Sequence, residues 1–180
     1  MRRTAACLLL ATLPTTLLAN GPTIDYGPRP AYLIDKLPDG ELKSKLQSCA
    51  GQTPAQSDFS IGHRGAPLLF PEHTVESNVA AARMGAGILE CDVTFTKDLE
   101  LVCRHAQNDL HTTTDILVSD LAGTCVTPFA PADGDTPAAA ECRTSELTLA
   151  EFQTLTPKMD SADKTATTAE AYQGGVADWR

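Results

Sequence analysis

Between Asp58 and Phe95 the chain runs from an apolar segment through a helix-like segment to a second apolar segment, and this order constrains the fold more than any other feature. "FSIGH" (59–63) has the length and residue types of a short strand, and "RGAPLLFPEH" (64–73) reads as a loop. Thr74 is placed to cap a helix whose Val75, Val79, Ala82 and Met84–Ala86 turns suit packing on a sheet. Gly85 and Gly87 end that helix, and "ILECDVTF" (88–95) starts a second strand. A polar turn, "TKDLE", then leads into a third strand ending in "LVCRH" (101–105). Strand, helix and strand, with a third strand joined by a short turn, indicate the α/β class.

The flanks divide the chain further. Residues 1–20 place Arg2 and Arg3 before an apolar run through Leu18 that ends in small residues, the layout of a secretory signal peptide. A membrane anchor is the competing reading, but the run is short and contains Pro14. Export to a secreted or periplasmic location is therefore expected, with no stable membrane insertion once the signal is removed. Residues 21–58 form an N-terminal extension with little periodicity, in which Leu42, Leu46 and Cys49 predict one short helix near Glu41–Cys49. Within the main region, 59–180, the Thr-, Pro- and Ala-rich stretch near 106–147 reads as an insertion loop. Thr148 and Glu151 then have capping-box spacing, so a helix resumes at "EFQTL".

Charge and cysteine content narrow the partners and the compartment. The 14 basic and 23 acidic residues give −9, and loss of Arg2 and Arg3 leaves 12 basic residues and a balance of −11. Such an acidic surface argues against nucleic acid and anionic membranes as partners, while leaving room for a local cationic pocket. Beyond Cys7 there are five cysteines, Cys49, Cys91, Cys103, Cys125 and Cys142, so at least one does not pair within this chain. In an oxidising compartment Cys125 with Cys142 is the most economical bridge. Zinc is disfavoured because no C-x2-C spacing occurs.

Side chains alternate along a strand, so Glu90 and Asp92 are expected on one face, with Cys91 on the other. His63 and His105 each end a strand, which gathers both histidines and both acids near strand carboxyl ends. In parallel α/β barrels that end carries the active site. Flanking Leu89, Val93 and Phe95 predict a buried strand, where two unpaired carboxylates are costly and a hard divalent cation relieves them. His63 and His105 have the chemistry of a general acid and a general base, with a structural hydrogen bond as the competing role. Arg64 can hold a phosphate through paired N–H donors, or else form a surface ion pair. Glu72 either touches the metal or orders its loop. His73 is expected to be a loop hydrogen-bonder, His111 a structural or rim residue, and Asp109 a loop acid. There is no G-x-S-x-G, P-loop or H-E-x-x-H motif. A cation, an arginine and two imidazoles suit phosphodiester cleavage.

"GHRGAP" (62–67), "PEHT" (71–74), "ECDVTFTKD" (90–98), "LVCRH" (101–105) and "DLHTTT" (109–114) together resemble the glycerophosphodiester phosphodiesterases, over about Phe59–Ile116. The resemblance implies a TIM-type (β/α)8 barrel of the phospholipase-C-like kind that hydrolyses glycerophosphodiesters to sn-glycerol 3-phosphate and an alcohol. It implies His63 and His105 as the acid/base pair, Arg64 as a phosphate contact, and Glu90 and Asp92 as ligands of Ca2+ or Mg2+. The implied partner is a small-molecule glycerophosphodiester. A sphingomyelinase D-like phospholipase shares this arrangement and is the enzymatic alternative. A non-catalytic phosphate-binding module or an inactive fragment is the other.

One family feature is missing. Members supply a further metal-binding glutamate from a later P-E-x-K segment, and this sequence has none; Glu170, in "TTAEAYQGG", does not match. Such barrels need about 250 residues, whereas Phe59–Arg180 supplies 122. About the first half of a barrel is therefore expected.

Overall fold

A computed structural model describes residues 23–174, and the expected signal segment, 1–20, lies outside them. Two short helices lead in, α1 (Arg29–Asp35) and α2 (Glu41–Gln47), of which the sequence pattern anticipates the second. Then come β1 (Ser57–Gly62), α3 (Val75–Arg83) and β2 (Ala86–Leu89). The strands β1 and β2 pair in parallel, with Ile61 opposite Ile88 and Gly62 opposite Leu89, so α3 is the crossover of a β-α-β unit. Thr74 caps α3 by accepting the Ser77 N–H at 3.1 Å. The face turned to the sheet carries Ser77 and Ala81, both buried.

The second expected strand does not continue through Phe95. It ends at Leu89; Glu90, Cys91 and Asp92 belong to no strand, and β3 (Val93–Phe95) starts a separate hairpin with β4 (Leu101–Cys103). The pairing is antiparallel, with Val93 opposite Cys103 and Phe95 opposite Leu101. The turn is closed by Thr96, whose Oγ1 donates to Asp98 at 2.6 Å and accepts the Glu100 N–H at 3.0 Å. The face-sharing of Glu90 and Asp92 expected from a continuous strand is therefore replaced by a local bend.

Burial along these strands also differs from expectation. Leu89, Val93 and Phe95 are each about half exposed, at 47%, 55% and 53%, and Phe59 is almost fully exposed. A single helix covers one side of a two-stranded parallel sheet, and such sheets are normally covered on both. The described residues contain three two-stranded sheets and no closed barrel.

The main apolar core lies instead in the stretch expected to be an insertion loop and in the segment after it. There α4 (Leu110–Thr113), the antiparallel pair β5 (Thr127–Ala130) and β6 (Ala139–Glu141), α5 (Leu149–Phe152) and α6 (Ala169–Tyr172) fold together. Leu110, Ile116, Cys142, Leu147 and Tyr172 are wholly buried in one cluster. Burying each Leu or Ile side chain contributes about 1.5–3 kcal/mol, which offsets the entropy of ordering so much irregular chain. The Cys125–Cys142 disulfide, as expected, staples this cluster, and α5 opens with the expected capping box between Thr148 and Glu151. Among the described residues no helix is long and apolar enough to cross a membrane.

His111 rests against this core, its ring 6.4 Å from that of Tyr172 and its Nδ1 without a partner. Burial, helped by Lys164, lowers its pKa below the ordinary imidazole value. A depressed folded pKa means that the unfolded chain binds the proton first as pH falls. The stabilisation is thus complete above about pH 6.5 and is lost as pH drops from there through the folded value. A His111→Gln variant is expected to flatten the fall in urea midpoint below pH 6.5. An unchanged slope would show that His111 does not contribute.

Candidate active site

The site forms where β1 ends. His63 follows the last strand residue, and the chain turns sharply through Arg64 (φ +58°) and Gly65 (φ +83°). Gly65 is required twice over: its φ is left-handed, and a Cβ there would lie 2.6 Å from the Ser77 carbonyl carbon and 2.8 Å from the Asn78 nitrogen. Ser77 locks the turn. Its Oγ accepts the Ala66 N–H at 2.8 Å and donates to the Arg64 carbonyl at 3.0 Å. The His73 N–H donates to the same carbonyl at 3.1 Å, so the "PEHT" loop folds back on the turn. A non-glycine residue in the left-handed region costs about 1–3 kcal/mol. Here Arg64 and His73 (φ +61°) both adopt it, and this ring of hydrogen bonds holds them there.

Three carboxylates converge on Arg64. Its backbone N–H donates to Glu90 Oε2 at 2.8 Å, its Nη1 donates to Glu72 Oε2 at 3.0 Å, and its Nε lies 3.9 Å from Asp92 Oδ2. The hydrogen bond that Arg64 donates to Glu72 is the largest cause raising the Arg64 pKa, opposed by burial and aided by the charges of Glu72, Asp92 and Glu90. The buried Glu72 thus orders Arg64. On the other side of Asp92, the fully buried His73 ring places Nε2 3.2 Å from Asp92 Oδ2. Burial lowers the His73 pKa, with Glu72 and Asp92 opposing the shift, so the ring is held towards its neutral form. Formal charge at this cluster is three negative against one positive.

The hairpin brings the last residue to the same place. The Arg104 N–H donates to the Asp92 carbonyl at 3.0 Å. Asp109 fixes both neighbours of His105: its Oδ1 accepts from Arg104 Nε at 3.1 Å and its Oδ2 from the Ala106 N–H at 3.1 Å. His63 is therefore one residue from a contact with Glu90, and His105 one residue from a contact with Asp92. Successive Cα atoms are 3.80 Å apart, so the backbone of both histidines lies within a residue's length of these contacts. Both histidines are exposed.

The residues present fit a hard divalent cation in donor type. Glu90 and Asp92 each use one oxygen in these contacts, and a carboxylate offers about four lone-pair sites. Mg2+ is commonly held by one or two carboxylates together with water and substrate phosphate. Among the described residues no group of three or more His, Cys, Asp or Glu side chains forms a ready-made metal cage. Two contributors escaped sequence reasoning, Ser77 and the Cys91–Cys103 disulfide, while His73 and Asp109, expected as loop residues, meet the site through Asp92 and the neighbours of His105. A serine on the sheet-facing side of a helix was the available signal for Ser77. For the disulfide it was the hairpin register, which sets Cys91 diagonally across from Cys103.

A family model described as "Glycerophosphoryl diester phosphodiesterase family" matches residues 63–176, well over half of the chain. The chain is 43% identical over 56 residues to "Probable glycerophosphodiester phosphodiesterase 1" of Mycobacterium tuberculosis, covering 31% of this chain and 20% of that protein. It is 30% identical over 109 residues to "Glycerophosphodiester phosphodiesterase GDPD6" of Arabidopsis thaliana, covering 61% of this chain and 26% of that one. A crystal structure from Silicibacter pomeroyi DSS-3, of a chain described in the same glycerophosphoryl diester phosphodiesterase terms, superposes with a TM-score of 0.41 at 23% identity, over 72% of this chain and 37% of the other. The chain thus spans about a fifth to a quarter of the length of the curated relatives it matches.

Proposed function

Because this chain belongs to the glycerophosphoryl diester phosphodiesterase family, we propose that it supplies the catalytic end of a metal-dependent hydrolase. This enzyme cleaves glycerophosphodiesters to sn-glycerol 3-phosphate and an alcohol. The observation that carries the reading is the convergence of Glu72, Glu90 and Asp92 on Arg64 at the carboxyl end of a parallel strand pair, with the exposed His63 and His105 each next in sequence to a residue in these contacts. In this proposal the β-α-β unit is the opening portion of a TIM-type barrel, for which the parallel pairing and the site's position at the strand ends are the support.

Glu90 and Asp92 would hold Ca2+ or Mg2+, which when bound supplies Lewis-acid polarisation of the phosphoryl oxygens. Arg64 has five N–H donors, and its contacts with Glu72 and Asp92 leave part of the fork for the phosphate. One of His63 and His105 removes a proton from the attacking water, and the other delivers a proton to the departing alcohol oxygen. The water oxygen bonds to phosphorus as the bond from phosphorus to the alcohol oxygen breaks. Glu72 and Ser77 keep Arg64 aimed, and Asp109 does the same for His105. The two disulfides, Cys91–Cys103 and Cys125–Cys142, support an exported location, since such bridges persist in oxidising compartments.

Incubating the full-length protein with glycerophosphocholine and Ca2+ is expected to release sn-glycerol 3-phosphate and choline in equal amounts. Release of choline from sphingomyelin, with no turnover of glycerophosphocholine, would move the assignment to a sphingomyelinase D-like enzyme. Turnover of neither would leave a phosphate-binding module.

A further inference from the structure

Cys91 sits between Glu90 and Asp92, in the three-residue bend that belongs to neither β2 nor β3. Two backbone hydrogen bonds tether the ends of that bend, from the Glu90 N–H to the Gly62 carbonyl at 3.1 Å and from the Arg104 N–H to the Asp92 carbonyl at 3.0 Å. Neither holds Cys91. The covalent tie does: its sulfur is bonded to that of Cys103, the last residue of β4, with the Cα atoms 5.6 Å apart. Two residues after Cys103 comes His105. A single bond therefore joins the centre of the acid pair to the strand that delivers one of the histidines.

We infer that the Cys91–Cys103 disulfide is the positioning element of the acid pair, and that cation affinity depends on its being formed. The inference rests on the proposed role of Glu90 and Asp92 as cation ligands. Each unladdered residue gains about 1–2 kcal/mol of backbone entropy when released, so a free bend samples many arrangements in which the two carboxylates do not converge. Reduction by a dithiol breaks the sulfur–sulfur bond. Two electrons and two protons pass to Cys91 and Cys103, and the reductant closes to its own disulfide. Glu90 and Asp92 then keep the two backbone hydrogen bonds and their side-chain contacts with Arg64 and His73, but lose the one covalent restraint on the residue between them. The second bridge provides an internal contrast. Cys125 and Cys142 are buried in the core, at 8% and 0% exposure, whereas Cys91 and Cys103 are only partly buried. A small thiol thus reaches the site bridge first.

The test measures Ca2+ binding by calorimetry on the full-length protein, alongside its turnover. The C91S/C103S variant is expected to bind Ca2+ about 10–100-fold more weakly, as for loss of other groups that orient metal ligands, with an unchanged circular dichroism spectrum and no response to dithiothreitol. The C125S/C142S variant is expected to keep wild-type affinity if it folds. Should C91S/C103S not fold, mild reduction of the folded wild type, with alkylation mapped to Cys91 and Cys103, provides the same comparison. Wild-type affinity after loss of this bridge, by either route, overturns the positioning role. Absence of Ca2+ binding in the oxidised wild type overturns the cation reading itself, and this inference with it.

Discussion

Replacing His105 with alanine in the full-length protein is expected to lower turnover by a factor on the order of 10²–10⁴, and replacing His63 to do the same, the range for loss of a positioned acid or base. The expectation follows from placement. Each imidazole is exposed, and each is one residue from a backbone contact with an acid-pair residue: His63 beside the Arg64 N–H on Glu90, His105 beside the Arg104 N–H on Asp92. Neither side chain supports the core cluster, so folding should survive both substitutions. The loss should appear in kcat with KM little changed, because a proton carrier acts in the transition state. Each variant should also lose one limb of the pH profile, and which limb disappears identifies the acid and the base. Wild-type turnover by either variant removes that histidine from the mechanism.

Glu90→Gln and Asp92→Asn are each expected to abolish most divalent-cation binding and to cost about 3 kcal/mol of transition-state stabilisation, on the order of 10² in rate. Glu90 and Asp92 each keep one carboxylate oxygen outside their contacts with Arg64 and His73, and the amide substitution keeps the shape while removing the anionic ligand. Chelation of the wild type should mimic these two variants, and added Ca2+ or Mg2+ should restore the wild type but not the variants. Glu72→Gln separates the roles: it should weaken phosphate contact through a loosened Arg64 while leaving cation affinity nearly intact. Full turnover in the presence of excess chelator would take the metal out of the reaction.

Much of the site was legible because it is local. Thr74 and Thr148 could be read as caps because a capping side chain reaches an N–H three residues on. Cys125 with Cys142 followed from compartment and loop length. The bend at Glu90–Asp92 was not legible, because "ILECDVTF" has strand-forming residues throughout. Local preference does not say where a ladder changes partner, and β2 pairs with β1 whereas β3 pairs with β4. His73 was legible as a loop hydrogen-bonder, and its N–H does donate to the Arg64 carbonyl; that its ring is buried against Asp92 was not legible, because it depends on "PEHT" folding onto that turn.

The segment near 106–147 is the clearest case of composition misleading. Its Thr, Pro and Ala content has no helical or strand period, so it reads as a loop. The structure nevertheless buries Leu110, Ile116 and Cys142 there, against Leu147 and Tyr172.

By itself the sequence determined the α/β order and the helix caps, because each of these depends on neighbours within a few positions. Tertiary structure alone decided that Glu72 serves Arg64, that His73 faces Asp92, that Asp109 braces both neighbours of His105, and that Cys91 is tied to Cys103. These pairings join strand end, loop, bend and hairpin, and only the shared packing of those elements brings their side chains within hydrogen-bonding or covalent reach.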